Sequence, residues 1–369
     1  QGVTSIWRFA PILPITERTK VVTLGEGGTP LVKADRVCDA LGLRDLYVKD
    51  ESRNPTLSFK DRKSSVGITK ALEFGSKAVA SITAGNAGSS IAAYASKAGI
   101  ESYIFTFRGI SNAKLAKLVS YGGRVFKSNA TSPELLEFCR VVCKEYGFTN
   151  LTAASRYNPY IKEGAKTAIF EIFEALGGRL PDWLILPIGG GGNLSSYFKG
   201  ARELKELGLI ERFPKFVGVQ GKYCAPVVKA FEKKMDPKEI PTIRNARTIA
   251  HSILDEWAPD GDQALRAIIE SNGRAVGVTD SQIMESMRMM SSKEGLFVEP
   301  ASAAPLAAVK QLLADGVLAS DESVVLVATG FGSNQPEATL QAWGSPPAVT
   351  MSLKAFRKQV LLHHREMGG

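Results

Sequence analysis

The sequence predicts an α/β protein built on a largely parallel sheet with helices on both faces. Short apolar runs rich in β-branched residues alternate along the chain with longer amphipathic segments, and this alternation is typical of β-α-β units. Two runs, WLILPI from Trp183 and SVVLVAT from Ser323, are almost continuously apolar, as strands buried on both faces are. The 369 residues suffice for two domains or one large α/β unit.

Each predicted element follows from its own pattern. The predicted strands are LYVKD near Leu46, AVASI at Ala78, SYIFTF at Ser102, GRVFK at Gly123, WLILPI at Trp183, KFVGVQ at Lys215 and SVVLVAT at Ser323. The stretches KDRKSSVGITKALEFG, SSIAAYASKAG, NAKLAKLVSYGG and SPELLEFCRVVCKEYG are predicted helices. The region from Met235 to Asp262, rich in Pro, Asp and charge, is predicted to be an irregular surface excursion.

Composition narrows the class of protein. The net charge is +9, but the Lys and Arg are scattered and aromatic residues make up only 8% of the chain, so nucleic acid is not an expected partner. No apolar run reaches membrane-spanning length and no signal-peptide pattern begins the chain. Four cysteines do not make a disulfide framework, and a cytoplasmic location is therefore predicted.

Cysteine and histidine do not predict a metal site. Cys139 and Cys143 share a helical face, but no second Cys or His pair is near them in the sequence, so packing is favoured. The two histidines near the chain end belong to a basic tail. His251 is predicted to be a buried, hydrogen-bonded histidine rather than a substrate contact, and Cys224 a packing residue.

Three loops rich in glycine or polar residues follow predicted strands. They are SITAGNAGSS from Ser81, PIGGGGNLSS from Pro187 and ATGFGSN from Ala328. In an open α/β sheet, ligands bind at the carboxyl ends of the strands, where helix N-termini present their N–H groups. The three loops are therefore expected to converge on one ligand.

Together the loops suit pyridoxal 5'-phosphate (PLP). The four glycines before Asn193 can form a nest of N–H groups for a phosphate. Asn86 can donate a hydrogen bond to a planar ligand, and Thr329 can meet a heterocyclic nitrogen without adding charge. Lys60 supplies the amine that bonds to an aldehyde.

Motifs in order along the chain resemble a known family. LGEGGTPLV, LYVKDESRNPTLSFKDR, TAGNAGSS, PIGGGGNLSSYFKGARELKELGLI, VEPASAAPLAAV and VATGFGSN resemble fold type II (the β-family) of PLP enzymes, most closely the threonine synthases. The resemblance implies a tryptophan synthase β-like fold with two open, twisted, mainly parallel sheets flanked by helices. It also implies a large domain of residues 1–55 and 156–345, a smaller mobile domain of residues 56–155, a tail of residues 346–369, and a homodimer.

The same resemblance implies roles for individual residues. Lys60 would carry the cofactor and later act as general base. The cofactor-binding residues would be Phe59, Lys60, Asn86, Gly189, Gly190, Gly191, Gly192, Asn193 and Thr329. The substrate-binding residues would be Thr83, Ala84, Gly85, Ala87 and Arg156. A hydroxyl at the ring nitrogen suits elimination and replacement better than transamination.

The implied activity is conversion of O-phospho-L-homoserine and water to L-threonine and phosphate. The substrate-binding part departs from the family pattern: Ala84 and Ala87 lack hydroxyls usual there, and Ile161 stands where an arginine is expected. Arg156 is a candidate to compensate, because a guanidinium binds phosphate bidentately. Leu57 occupies a position where relatives usually have glycine. The substrate is an amino acid, phosphorylated or not.

Two alternatives remain open. One is a β-replacement synthase of the cysteate or cysteine synthase type, and the other is a serine/threonine ammonia-lyase. The SFKDR and GGGGNLSS motifs favour the synthases over the deaminases.

Overall fold

The computed structural model describes residues 4–83, 85–344, 348 and 351–357. Ala84, most of the tail and its two histidines, His363 and His364, lie outside these residues. The described strands are Leu31–Lys33 (β1), Asp45–Asp50 (β2), Ala78–Ile82 (β3), Glu101–Phe107 (β4), Arg124–Ser128 (β5), Thr149–Asn150 (β6), Trp183–Pro187 (β7), Lys215–Gly221 (β8), Arg274–Val278 (β9) and Ser323–Ala328 (β10).

The helices fill the intervals between the strands. They are Asp35–Leu41 (α1), Lys60–Glu73 (α2), Asn86–Ala98 (α3), Asn112–Ser120 (α4), Ser132–Tyr146 (α5), Tyr160–Ala175 (α6), Gly192–Glu206 (α7), Pro226–Glu232 (α8), Gly261–Glu270 (α9), Asp280–Glu294 (α10), Pro300–Ala314 (α11) and Pro336–Trp343 (α12). Short 3-10 turns lie at Ile6–Ile12, Glu51–Arg53, Pro237–Glu239, His251–Ile253 and Gly332–Asn334. No helix among the described residues is long and apolar enough to cross a membrane.

The strands form two mainly parallel sheets, which confirms the predicted fold class. The larger sheet has the order β1-β2-β10-β7-β8-β9, and the smaller has β5-β4-β3-β6. Only β1 among the described strands pairs antiparallel, with β2. The seven predicted strands are all present. Sequence reading missed β1, β6 and β9, because two of them are only two or three residues long and β9 is interrupted by Gly277.

The larger sheet is buried on both faces. In β7, Trp183 and Ile185 pack into one hydrophobic core, while Leu184 and Leu186 pack into another on the opposite face. Every residue of β7 is buried, which agrees with its uninterrupted apolar sequence. A third core, centred on Val79 and Ile104, lies beneath the smaller sheet.

The irregular stretch between α8 and α9 was predicted to lie on the surface, but part of it packs against the glycine-rich loop. It forms only short turns, as its composition predicts, but it places Asp255 and Asp260 beside the glycine-rich loop after β7. A Cβ on Gly189 would stand 2.4 Å from Asp255 Oδ2, and the Asp260 amide donates a hydrogen bond to the Gly190 carbonyl over 2.8 Å.

Candidate active site

Lys60 is held at the carboxyl end of the larger sheet by its neighbours in sequence. Ser58 forms an isolated antiparallel bridge with Gly330, and the Phe59 amide donates to the Thr329 carbonyl over 3.0 Å. These two contacts clamp the start of α2 to the loop after β10. Lys60 and Thr329, 269 positions apart in the printed sequence, therefore belong to one site.

The environment of Lys60 favours a neutral amine. Its Nζ lies 4.6 Å from the centroid of the Phe59 ring, and no carboxylate of the described residues lies within 4.0 Å of it. Burial lowers the pKa of Lys60 below the usual 10.5, although Asp255, Glu299 and Asp260 oppose the shift. A lysine with a lowered pKa can act as nucleophile and general base near neutral pH.

The glycine-rich loop after β7 fits a phosphate. Gly191 has φ +89°, and a Cβ on Gly191 or Gly192 would come within 2.6 Å of Asp260 atoms, so a side chain does not fit there. The N–H groups of Gly191, Gly192 and Asn193 donate to no backbone carbonyl among the described residues. Both side-chain atoms of Asn193 are buried without a partner. Donors left unpaired at a helix N-terminus are what an anion requires.

Asn86 and Thr83 shape the loop after β3. Asn86 begins α3, and its side-chain amide donates to Glu299 over 3.1 and 3.2 Å. The Thr83 hydroxyl accepts hydrogen bonds from the amides of Gly85 and Gly88, at 3.1 and 3.3 Å. The Thr83 hydroxyl therefore stabilises the backbone conformation of the loop. Ala84 lies outside the described residues.

Thr329 directly follows β10 and lies beside a residue that was not predicted. Its hydroxyl lies 3.2 Å from the Ser302 hydroxyl, and Ser302 accepts from the Gly330 amide over 2.8 Å. Ser302 lies in the motif VEPASAAPLAAV, but nothing local in that motif indicates a hydroxyl directed at Thr329.

Two carboxyl groups belong to the same cleft. Burial raises the pKa of Asp255 and of Glu299, and Lys60 partly opposes both shifts. Glu299 also accepts a hydrogen bond from Ser252 over 3.1 Å. Glu299 was not predicted, although its place directly before Pro300 at the start of α11 is a recognisable helix-start signal.

The prediction for His251 is wrong. The residue is exposed, and its ring has no hydrogen-bond partner among the described residues. Partial burial and the Lys114 ammonium lower its pKa. Ala250 and Ile253 of the same short turn take the core positions, so the imidazole is left outside the core.

Cys224 packs as predicted. It is buried, its thiol lies 3.2 Å from the Asp255 carbonyl, and burial raises its pKa to about 11. A thiol in this environment is not reactive. The four cysteines are free.

Two further lysines lie beside the site, and neither was predicted to belong to it. Lys63 lies three residues after Lys60 and is buried, with its Nζ 3.4 Å from where a Cβ on Gly192 would stand. Lys114 of α4 is also buried, and its Nζ would lie 3.1 Å from a Cβ on Gly85. The i, i+3 spacing could have indicated Lys63, but only the fold brings Lys114 to the loop after β3.

The substrate-side residues are only partly brought together. Ala87 and Ile161 line one small cavity with Lys60 and Lys63. Arg156 is exposed outside that cavity, with its guanidinium donating to the Pro259 carbonyl over 3.0 Å and stacked 4.9 Å from the Trp257 ring. The structure thus places Arg156 on the outer side of the Pro259 turn.

A larger groove lies at the opposite end of the larger sheet, where Asp45, Lys215 and Ser323 begin their strands. It contains none of the predicted site residues. The unpaired donors of the glycine-rich loop and the lowered pKa of Lys60 both point to the smaller cleft, at the edge where parallel sheets bind ligands.

Comparisons with known proteins identify the family of the chain. Residues 22–330 match the family described as "Pyridoxal-phosphate dependent enzyme". The chain is 36% identical over 354 residues to threonine synthase from Methanocaldococcus jannaschii, covering 96% of this chain and 86% of the relative. It is 37% identical over 357 residues to threonine synthase from Methanosarcina acetivorans, with the same coverage.

A solved structure shows the same fold. Holo diaminopropionate ammonia lyase from Escherichia coli superposes with a TM-score of 0.74 at 15% identity, covering 93% of each chain. The chain therefore belongs to the pyridoxal-phosphate dependent enzyme family, of fold type II. Within that family it is similar to the threonine synthases, as the sequence motifs predicted.

Proposed function

We propose that this enzyme converts O-phospho-L-homoserine and water to L-threonine and phosphate. The observation that carries the proposal is the convergence of the Lys60 amine, the glycine-rich loop and Thr329 in one cleft. The similarity to threonine synthases over 96% of the chain supports this particular reaction.

The proposed cofactor contacts use the groups that the cleft presents. Lys60 would bond covalently to the cofactor, Phe59 would pack beside it, and Asn86 would bind its ring oxygen. Residues 189–193 would hold its phosphate, and Thr329, paired with Ser302, would bind its ring nitrogen. When bound, PLP supplies the electron sink that makes the substrate Cα proton acidic.

Lys60 is also the proposed general base. As a free amine, Lys60 would take the Cα proton and return it elsewhere on the substrate, because burial lowers its pKa. The loop of Thr83, Gly85 and Ala87, together with Ala84, is proposed to hold the substrate carboxylate.

Lys114 suits a substrate with a second negative charge. It is buried beside Gly85, and no carboxylate of the described residues lies within 4.0 Å of its ammonium. A buried ammonium without a partner is costly until an anion pairs with it. We therefore propose Lys114, rather than Arg156 in the position described here, as the cation for the substrate phosphate.

The first test asks whether PLP attaches covalently to Lys60. Protein reconstituted with PLP should show an absorption band at the border between the ultraviolet and the visible range. After borohydride reduction, the cofactor should be attached to the peptide that contains Lys60. The Lys60→Ala variant is the control and should not be labelled. A wild-type protein that binds no PLP would remove the basis of the proposal.

The second test is a substrate screen. O-Phosphohomoserine should release phosphate and yield threonine, whereas O-phosphoserine, serine and threonine should react poorly. Lys114→Met should raise KM for O-phosphohomoserine about 10- to 100-fold, because a charged hydrogen bond contributes about 1.5–3 kcal/mol. Lys97→Met, at an exposed lysine elsewhere, is the matched control.

One observation favours a second candidate. Ala87, Ile91, Leu151 and Ile161 give the cavity beside Lys60 an apolar wall, which suits a small unphosphorylated amino acid. If serine or threonine alone reacts, with release of ammonia, the enzyme is an ammonia-lyase. If O-phosphoserine or serine reacts only with an added nucleophile, it is a β-replacement synthase.

We further propose that the enzyme is a cytoplasmic homodimer with a mobile smaller domain of residues 56–155 packed on a large domain of residues 1–55 and 156–345. Four free cysteines suit a reducing compartment. Light scattering of the purified protein measures the oligomeric state. Hydrogen exchange with and without substrate would show protection confined to the smaller domain if that domain closes.

A further inference from the structure

Lys63 is a buried lysine whose side chain reaches the glycine-rich loop. It is 5% exposed and follows Lys60 by one turn of α2. Its Nζ lies 3.4 Å from where a Cβ on Gly192 would stand and 5.4 Å from the centroid of the Phe59 ring. Lys63 therefore bridges the space between Lys60 and the N-terminus of α7.

No partner among the described residues would compensate a positive charge on Lys63. No carboxylate lies within 4.0 Å of Lys63 Nζ, and the ammonium donates no hydrogen bond there. Burial lowers its pKa well below the usual value, Lys60 and Lys162 add to the shift, and only Asp260 opposes it. An ammonium in this setting gains most from an anion that binds beside it.

The glycine-rich loop needs such a cation. Asp260 Oδ2 would lie 2.6 Å from a Cβ on Gly192, so a carboxylate stands close to the proposed phosphate site. Hydrogen bonds hold the Asp260 carboxylate in this position, because it accepts from the Ser155 amide at 3.0 and 3.1 Å and from the Ser155 hydroxyl. A phosphate at this loop would meet repulsion from Asp260 unless a positive charge lay nearby.

We propose that the Lys63 ammonium is the counter-charge for the PLP phosphate at the glycine-rich loop. It adds an ionic partner to the unpaired N–H groups of Gly191, Gly192 and Asn193 and offsets the charge of Asp260. This inference rests on the proposed placement of the cofactor phosphate at residues 189–193.

The test compares PLP with pyridoxal, which has the aldehyde but lacks the phosphate. Apoprotein, prepared by removing the cofactor with hydroxylamine, is titrated with each compound and binding is followed by absorbance. Lys63→Met should weaken PLP binding about 10- to 100-fold, the range of a charge-assisted hydrogen bond. Pyridoxal binding should change less than about 3-fold by the same reasoning.

Two variants sharpen the comparison. Lys63→Arg keeps the charge and should recover most of the PLP affinity. Lys162→Met removes another buried lysine near Asp260, one whose ammonium is hydrogen-bonded to Gln263, and should leave the PLP affinity near that of the wild type.

Thermal melting provides a readout independent of titration and activity. Lys63→Met replaces a buried amine that has no hydrogen-bond partner among the described residues with an apolar side chain, so the apoprotein should melt at the same or a higher temperature than wild type. The increase in melting temperature on adding PLP should be smaller in the variant. If Lys63→Met does not fold, Lys63→Gln is titrated in its place.

Two outcomes would overturn the inference. Unchanged PLP affinity in Lys63→Met would do so, and so would an equal loss for PLP and pyridoxal, which indicates a structural role. Unchanged PLP affinity with a raised KM for O-phosphohomoserine would assign Lys63 to the substrate phosphate instead. Because the titration uses no substrate, it stands even if the proposed reaction is wrong; absence of covalent PLP on wild-type Lys60 would instead reject the proposed function.

Discussion

The reactivity of Lys60 depends on its surroundings rather than on its neighbours in sequence. A lysine before Asp61 and Arg62 on a helix surface would be solvated and protonated at neutral pH. Here burial lowers its pKa, and the three carboxyl groups that oppose the shift come from residues 255, 260 and 299. The chemistry of one side chain is therefore set by segments about 200 residues away in the chain.

A pH profile tests this lowered pKa. Only the neutral amine attacks the aldehyde of PLP, so the rate of covalent attachment to apoprotein should rise with pH and level off below 10.5, the usual lysine value. The free amine of N-acetyllysine is the reference and should keep rising to that value. A rate for the protein that follows the reference throughout would show an ordinary lysine.

Leu57 shows strain at a single residue. Its φ is +68°, a left-handed conformation that costs a side chain with Cβ about 1–2 kcal/mol. The conformation is held because the Leu57 carbonyl accepts from the Phe331 amide over 3.1 Å and from the Asn334 side chain over 3.0 Å. These bonds join the loop before Lys60 to the loop after β10.

Glycine at position 57 should relieve this strain. We expect Leu57→Gly to be more stable than Leu57→Ala by about 1 kcal/mol, because both lose the leucine side chain and only alanine keeps the Cβ. Urea denaturation of the two variants measures the difference. Equal midpoints would mean that position 57 relaxes to negative φ when the leucine is removed.

At the scale of elements, one buried charge cluster ties α2 to the larger sheet and to α6. Arg62 of α2 donates to Glu51, after β2, at 2.7 and 2.8 Å. It also donates to Glu171 of α6 at 2.6 and 2.7 Å, and Lys49 of β2 joins Glu171 at 2.7 Å. These charges are buried and mutually paired, so each depends on the others.

Removing Arg62 should therefore destabilise the protein strongly. Arg62→Met leaves Glu51 and Glu171 buried with too little positive charge, and we expect a loss of about 3–5 kcal/mol in the free energy of unfolding. Arg202→Met breaks an exposed 2.6 Å pair with Glu270 and should cost at most about 1 kcal/mol. Similar losses for both variants would contradict a special role of burial.

The same cluster predicts that the free energy of unfolding depends on pH. Burial alone would raise the pKa of Glu171, but Arg62 and Lys49 lower it to about 2, below the usual 4.5. The stabilisation is then complete above pH 4.5 and is lost as the pH falls from 4.5 towards 2. The loss should be smaller in Arg62→Met than in wild type. Burial raises the pKa of Asp61 to about 6. Asp61 therefore contributes equally to the pH dependence of stability in wild type and in Arg62→Met.

At the scale of the whole molecule, α2 connects the two sheets. Ile68 and Ala71 pack into the core beneath the smaller sheet, while the other side of α2 lies against α6, whose Ala168 and Ile172 pack under the larger sheet. The two helices approach so closely that a Cβ on Gly164 would stand 1.8 Å from the Arg62 carbonyl oxygen.

This contact gives a prediction for the assembly of the fold. Gly164→Ala forces α2 and α6 apart, so we expect a loss of about 3 kcal/mol or more in the free energy of unfolding, at the upper range of overpacking. Gly109→Ala, where nothing lies within 4 Å of the added methyl group, should be within about 0.5 kcal/mol of wild type. A stable Gly164→Ala variant with unchanged PLP binding would show that the helices separate without cost to the site.

The outcome of sequence reading differs from residue to residue for physical reasons. Lys60, Asn86, Thr329 and the glycine-rich loop could be predicted as site residues because each lies in a short motif at a strand end, where local backbone geometry limits the residues allowed. Lys114 and Ser302 were missed because an ordinary helical residue carries no local sign of what it will face. His251 was placed wrongly since the sequence does not show which side of a turn faces the core.

Local regularities of the chain were therefore enough to predict the fold class and the cofactor and to propose Lys60 as the cofactor lysine, because strand periodicity and glycine-requiring turns are properties of a few consecutive residues. Three-dimensional packing decided which lysines are buried without a carboxylate nearby, which residues Arg156 contacts, and that the pKa of Lys60 falls. Those depend on burial and on distances between segments far apart in sequence, and electrostatic energies follow distance in space, not separation along the chain.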